Sequence, residues 1–468
     1  MEYLNLIEQY RESMVKTLQE LIAIRSVCEP EDADMPFGRG VHDAFLYMLE
    51  KGNEEGFEAK NIDNYAGHIE FGASDEILGI LVHLDTVPEG NDWDFPPLGG
   101  QINDGKLYGR GANDNKGPAV AAFYAMKALK DSGFLPDKKV RLIMGLDEET
   151  KWRCMSRYFE KEKAPAVGFA PDAKFPAIHA EMGILVFELA KKMGKSNDKG
   201  LELRSLKGGN ASNMVADFAR AVVRDEKTDT YDKIRSLAAS YRNEKGYKVN
   251  VKGTGKSLEI TTSGISAHGA RPDLGLNAIS IMMEFLGHLS FVNEDTNEFI
   301  AFYNEHIGFT LDGAGMGCGL SDEISGKLIF NVGMADIGPE AARLTINIRY
   351  PVTTGGEDVY EAMMPVINRY NLGIVKGKHQ LPIYFAEDHP LITSLMEVYR
   401  KHTGDEESKP IVIGGGTYAR AAANIVAFGP SMPDDPDIAH QKNEFIEIDQ
   451  LVLIAKIYAD AIKRLASL

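Results

Sequence analysis

Apolar residues recur at helical spacing over residues 6–24, where Ile7, Met14, Leu18, Leu21 and Ile22 form one stripe, so the chain is predicted to open with an amphipathic helix. Residues 77–82 (ILGILV) form a continuous apolar run of strand length, the pattern of a strand covered on both faces in a parallel sheet. The Ala-rich stretch 117–130 reads as a helix with Pro118 in its first turn. A second buried strand is expected at 140–146, a helical stretch around 157–160 and a third apolar run at 166–170. Strand, helix, strand, helix, strand is the alternation of an α/β layer. It resumes near the C-terminus, with a helix from Leu391, a strand at 410–413, a helix at 418–423, a strand at 425–428 and a long helix from Ile446.

Between these two stretches the texture changes. Short β-like runs, such as 258–262 and 344–348, occur with helices at 277–289 and 359–369. The expected architecture is therefore α/β: a mixed, mostly parallel sheet flanked by helices in a first domain (1–183 plus 387–468), interrupted by a large inserted α+β domain (184–386).

The chain has 468 residues, 44% of them hydrophobic, enough for more than one buried core. A formal charge of -18 disfavours nucleic acid and anionic membrane as partners. Cys28, Cys154 and Cys318 are far apart and include no CxxC pair, which suits a reducing compartment. No apolar run is long enough to span a bilayer, and the charged opening lacks the pattern of a secretory leader. A soluble, cytoplasmic protein is the expectation.

Acidic and histidine residues cluster where predicted strands end, which in open α/β sheets is where sites form. His83 and Asp85 follow ILGILV; Asp114 stands just before the 117–130 helix; Glu148 and Glu149 follow the second strand; Asp172 follows the third, and His440 lies beyond the 425–428 strand. Any one of these alone is an ordinary core, turn or surface residue. Together, two imidazoles and three carboxylates (His83, Asp114, Glu149, Asp172, His440) make a donor set suited to zinc, manganese or cobalt, and too rich in imidazole for a calcium or magnesium cage.

The strings HLDTVPEG, GRGANDNKGP, GLDEET, FAPDAKFP, GISAHGARPDLGLNAI and DPDIAHQKNE, in this order over nearly the whole chain, resemble PepV-type dipeptidases. These belong to the dinuclear metallopeptidase superfamily that also contains carnosinases, aminoacylases and succinyl-diaminopimelate desuccinylases. The resemblance implies a zinc-peptidase-like catalytic domain holding two divalent ions, zinc or manganese, with cobalt an option. His83 and Asp172 would hold one ion, Glu149 and His440 the other, and Asp114 would bridge both, with the Asp114–Asn115 peptide cis. It further implies that Asp85 receives the second ring N–H of His83, and that Glu148 is the general base acting on a metal-bridged hydroxide.

From the inserted domain the resemblance implies that His268 polarises the scissile carbonyl, helped by Asn213, and that Arg349 binds the substrate's C-terminal carboxylate. A planar bidentate donor is the natural partner of a carboxylate, although a strand-end arginine equally serves a structural ion pair. Gly415, Gly416 and Thr417, in a Gly-rich loop, are candidates for further contacts to that carboxylate. The expected substrates are small unblocked dipeptides. An enlarged lid supplying its histidine in cis implies a monomer. The rival activities are deacylation or desuccinylation of N-acyl amino acids, and a silent peptide-binding relative. Two positions depart from the family pattern: Asn115 stands where a second Asp is usual, and Lys151 where Gly often follows. KGTGKS at 252–257 mimics the end of a P-loop but leads into a strand-like segment, so it is rejected as a nucleotide site.

Overall fold

The computed structural model describes residues 2–32, 34–194 and 199–468. The continuous apolar runs form the middle of a six-stranded sheet, in the order Glu58–Ile62, Ala66–Phe71, Lys139–Gly145, Ile77–His83, Val167–Ala170, Ile425–Ala427. Ile77–His83 runs parallel to both its neighbours, and Ile425–Ala427 runs parallel to Val167–Ala170. The first two strands pair antiparallel with each other, and Ala66–Phe71 is antiparallel to Lys139–Gly145. Every residue of Ile77–His83 is buried, as a centre strand with two covered faces requires. The helix Lys116–Asp131 is buried over most of its length, its alanines at 119, 121, 122, 125 and 128 fully so, and it packs against the helix Ile448–Leu465.

The chain divides into two compact units, Met1–His179 with Phe385–Ile411 and Thr417–Leu468, and Ala180–Tyr384 with Val412–Gly416. The second unit is built on an eight-stranded sheet in the order Lys248–Thr254, Ser257–Ser263, Phe218–Arg224, Glu202–Gly208, Ile329–Ile337, Ala341–Tyr350, Gly183–Lys192, Gly373–Gln380, and the pairs described are antiparallel. Its core is closed by the helices Ala278–Leu286, Glu294–His306 and Gly356–Arg369, through residues such as Met282, Phe302, Tyr303 and Val359 packed with Leu344 and Ile346.

Three elements differ from the sequence expectation. The opening helix is two, Glu2–Gln9 and Arg11–Ala23, parted at Tyr10, whose hydroxyl bonds Asp131. The expected helix at 418–423 is a single 3-10 turn, Tyr418–Ala421. The 410–413 run, seen as Ile411–Ile413, does not join the main sheet but lies in a three-stranded one with Ile178–Glu181 and Ile383–Tyr384. KGTGKS turns the hairpin between Lys248–Thr254 and Ser257–Ser263, with Gly255 at φ 61°, and leads into a strand. No helix of the described residues is long and apolar enough to cross a membrane.

Candidate metal centre

His83 is the last residue of its strand, and Asp147, Glu148 and Glu149 follow the adjacent parallel strand. Asp172 lies two residues past Val167–Ala170. Parallel strands end on one side of the sheet, so these groups converge there. Asp114 comes from the loop before the helix Lys116–Asp131, and its peptide bond to Asn115 is cis. His440 arrives from the loop after Pro430–Ser431 with a left-handed backbone, φ 63°.

The distances among the five expected ligands divide them into two sets that share Asp114. Its Oδ1 lies 3.1 Å from His83 Nε2, which is also 3.5 Å from Asp172 Oδ1. Its Oδ2 lies 3.3 Å from His440 Nε2, itself 3.0 Å from Glu149 Oε1. Donor atoms of His83, Asp114 and Glu149 all lie within 4.8 Å of one another.

The tautomer of His83 follows from its partner. Its Nδ1 is 3.0 Å from the main-chain carbonyl of Asp85, which can only accept, so Nδ1 carries the proton. Nε2 then faces two carboxylates, an arrangement that calls for positive charge between them, either a proton on Nε2 or a cation bound to its lone pair. The protonation balance says the same. Burial alone would lower the His83 pKa, but bonds to Asp114, Asp172 and Asp85 hold it well above its ordinary value. Bonds to Asp114 and Glu149 raise that of His440 to about 11 against the effect of its burial. Burial, with Asp114 nearby, pushes Glu149 up to about 7, whereas the two imidazoles hold Asp114 well below the carboxylate range despite its burial.

Asp85 is fully buried. Its carbonyl receives the His83 ring N–H, while its carboxylate lies farther off at 3.5 Å and accepts the amides of Glu148 (3.1 Å) and Glu149 (3.0 Å). Asp85 therefore orients the histidine and the Glu-Glu turn at once. The Glu148 carboxylate takes part in no hydrogen bond among the described residues, and burial together with Asp172 raises its pKa well above the usual carboxylate value. Asn115 is buried and donates from Nδ2 to the Pro171 carbonyl at 2.6 Å, a contact an ionised Asp could not make. Lys151 is exposed.

The tasks of two further contributors were not apparent in the sequence. Tyr418 donates its main-chain N–H to Asp172 Oδ2 at 2.9 Å, fixing that carboxylate so that Oδ1 faces His83. Glu444 accepts main-chain N–H groups of Gly111, Asn113 and Asp114. It ends the quoted string DPDIAHQKNE, so its position was visible but its task was not.

In the second unit, Asn213 and His268 lie on adjoining loops. Gly269 N–H donates to the Asn213 carbonyl at 2.6 Å and Val215 N–H to that of Ala267 at 2.8 Å. Asn331 donates to the carbonyls of Ser212 (3.2 Å) and Met214 (2.9 Å), bracketing Asn213. Ala270 N–H donates to His268 Nδ1 at 3.3 Å, so the neutral ring carries its proton on Nε2. Arg349 is buried on Ala341–Tyr350, and a side chain on Gly414 would begin 3.7 Å from Arg349 Cγ and 3.3 Å from Ala270 Cβ. The glycine loop thus runs beside both Arg349 and the His268 loop. Gly415 is half-buried and Gly416 exposed, while the Thr417 hydroxyl accepts Ala419 N–H as the cap of the 3-10 turn.

Residues 79–464 match the model of peptidase family M20/M25/M40. The chain belongs to this family. It is 38% identical over 461 residues, 97% of this chain and 98% of the relative, to the protein of Bacillus subtilis (strain 168) named "Putative dipeptidase YtjP". A Staphylococcus epidermidis protein named "Putative dipeptidase" is 36% identical, with 97% of each chain covered. Among solved structures, human carnosine dipeptidase 1 aligns over 100% of this chain and 98% of its own at a TM-score of 0.55 and 16% identity. The dipeptidase Dug1p of Saccharomyces cerevisiae aligns over the same shares at 0.57 and 14%. At that identity the structural likeness is one of fold. Family membership makes this M20 chain a metallopeptidase, and the His83–Asp114–Glu149 group is its candidate for holding divalent metal.

Proposed function

We propose that the protein is a metal-dependent dipeptidase of unblocked dipeptides, with His83, Asp114 and Asp172 around one divalent ion and Asp114, Glu149 and His440 around a second. The observation that carries this reading is the division of Asp114, one oxygen toward each histidine. The donor set suits zinc or manganese, with cobalt also compatible. Ions bound there supply Lewis-acid polarisation and lower the pKa of water from about 15.7 toward about 7.

Glu148 accepts a proton from the attacking water at its carboxylate and passes it to the departing amine. Asp85 holds the Glu148 and Glu149 amides and the His83 ring in place during this exchange. His268 donates from Nε2 to the developing oxyanion with Asn213 beside it, and Arg349 pairs with the C-terminal carboxylate. Gly415, Gly416 and Thr417 offer main-chain contacts to the same end. The dipeptide reading is supported by the names of the relatives at 38% and 36% identity.

The test is a panel of Xaa-Ala dipeptides against N-acyl amino acids, with Zn²⁺ or Mn²⁺ added to metal-free protein. Turnover of free dipeptides that depends on the added ion is expected. Preference for the N-acyl compounds would replace the dipeptidase reading with a deacylase one.

A further inference from the structure

Arg110 and Glu444 are both buried and form an ion pair at 2.8 Å between Nη1 and Oε2. Such a pair is often no more stabilising than apolar residues of the same volume, so its presence beside the metal centre calls for a further reason. The remaining contacts supply one. Glu444 Oε2 also accepts Gly111 N–H at 3.1 Å, and Oε1 accepts the N–H groups of Asn113 at 2.8 Å and Asp114 at 3.0 Å. Gly111 makes this possible with φ +88°, and a side chain there would press against Lys116 and Thr86. Arg110 Nη2 donates to the carbonyls of Glu89 (3.2 Å) and His440 (3.3 Å), and its guanidinium lies 5.2 Å from the Trp93 ring centre. His440 has a left-handed backbone, φ 63°, a conformation that persists where surroundings hold it.

We propose that Arg110 and Glu444 are a positioning pair that sets the two groups flanking the second ion: Glu444 fixes the main chain of Asp114, and Arg110 fixes that of His440. The inference rests on the metal reading given under Proposed function. It demands a carboxylate at 444. A glutamine accepts with one oxygen only, and turning that oxygen to Arg110 points its NH₂ at the amide donors of Asn113 and Asp114.

The test titrates metal-free protein with Zn²⁺ against a chromophoric chelator and records the thermal midpoint of the metal-free form. Glu444→Gln is expected to weaken Zn²⁺ binding about 10–100-fold, the usual effect of losing a group that orients ligands. Arg110→Lys, which keeps the charge at Glu444 but loses the planar reach to His440, is expected to weaken one of the two Zn²⁺ steps more than the other. It also serves as the measurement should Glu444→Gln not fold. Unchanged dissociation constants with a lowered metal-free midpoint would reduce the pair to a structural ion pair and overturn the proposal. Asp114→Asn and His440→Ala in the same titration separate the two readings: if both bind Zn²⁺ as the unaltered protein does, the metal reading itself has failed.

Discussion

Adjacent residues in a turn direct their side chains apart, and Glu148 and Glu149 use this to divide one position between two tasks. Glu149 meets His440, whereas the Glu148 carboxylate has no hydrogen-bonding partner among the described residues although burial and nearby Asp172 make its charged form costly. A group held at that expense without a structural bond is a candidate for moving protons. Glu148→Gln keeps the volume and removes the base. Turnover of a dipeptide should fall about 10²–10⁴-fold while the number of bound metal ions per chain stays as before. Turnover at the original rate, or loss of a bound ion in Glu148→Gln, would remove Glu148 from that role. The residue types and strand-end positions of this candidate site were legible in the sequence because each proposed ligand ends or follows a strand or precedes a helix. The roles of Tyr418 and Glu444 were not. Both act across long sequence separations, Tyr418 through a main-chain N–H that every residue but proline carries, and Glu444 through a carboxylate on main-chain amides, so spacing gives no sign of either.

At the level of elements, the parallel strands were readable as unbroken apolar runs, whereas the eight-stranded sheet was seen only as scattered short runs. Its strands alternate buried with exposed positions, as in Phe218–Arg224, and their charged outward residues interrupt the hydrophobic signal. The six-stranded sheet also carries a polar knot unrelated to the metal site. His68, on Ala66–Phe71, is buried, with Nδ1 2.8 Å from the Tyr158 hydroxyl. Arg141 donates to that hydroxyl and to Glu70, so the Tyr158 proton turns to His68, which is held neutral. Burial, reinforced by the Arg141 charge, pushes its pKa down to about 4 from 6.5. Well above pH 6.5 neither folded nor unfolded chain protonates it, and its linkage to stability vanishes. As pH falls from 6.5 toward 4 the unfolded chain gains a proton that the folded one refuses, so stability is lost, up to about 3 kcal/mol at roughly 1.4 kcal/mol per pKa unit. Glu70, whose pKa is lowered below the ordinary 4.5 by Arg141 and Lys139 against its burial, adds its loss only at more acid pH. The thermal midpoint should therefore drop between pH 6.5 and 4.5, and His68→Gln should flatten that slope. A slope unchanged by the substitution would assign it to other groups.

For the whole molecule, all five proposed ligands and Glu148 belong to one unit, while Asn213, His268 and Arg349 belong to the other. Each unit has a hydrophobic core of its own, and ions bound by one stabilise that one directly. The consequence of removing metal is accordingly local. Carboxylates of Asp114, Glu149 and Asp172 converge with two imidazoles, and without cations their mutual repulsion falls on the loops that carry them. At about 1,000 times the dissociation constant a single bound ion contributes about 4 kcal/mol to the state that binds it, so stripping the ions should matter on that scale. Hydrogen exchange followed peptide by peptide distinguishes the outcomes. Chelation should raise exchange at residues 83–86, 110–116, 147–150, 171–173 and 437–444, which hold the proposed ligands and groups bonded to them, and leave the strands Glu202–Gly208 and Ala341–Tyr350 near their original protection. Returning Zn²⁺ or Mn²⁺ should restore the first set. Equal loss of protection in both sets would mean that the metal centre supports the whole chain as one cooperative unit, and no change in either would mean that these loops do not hold the ions.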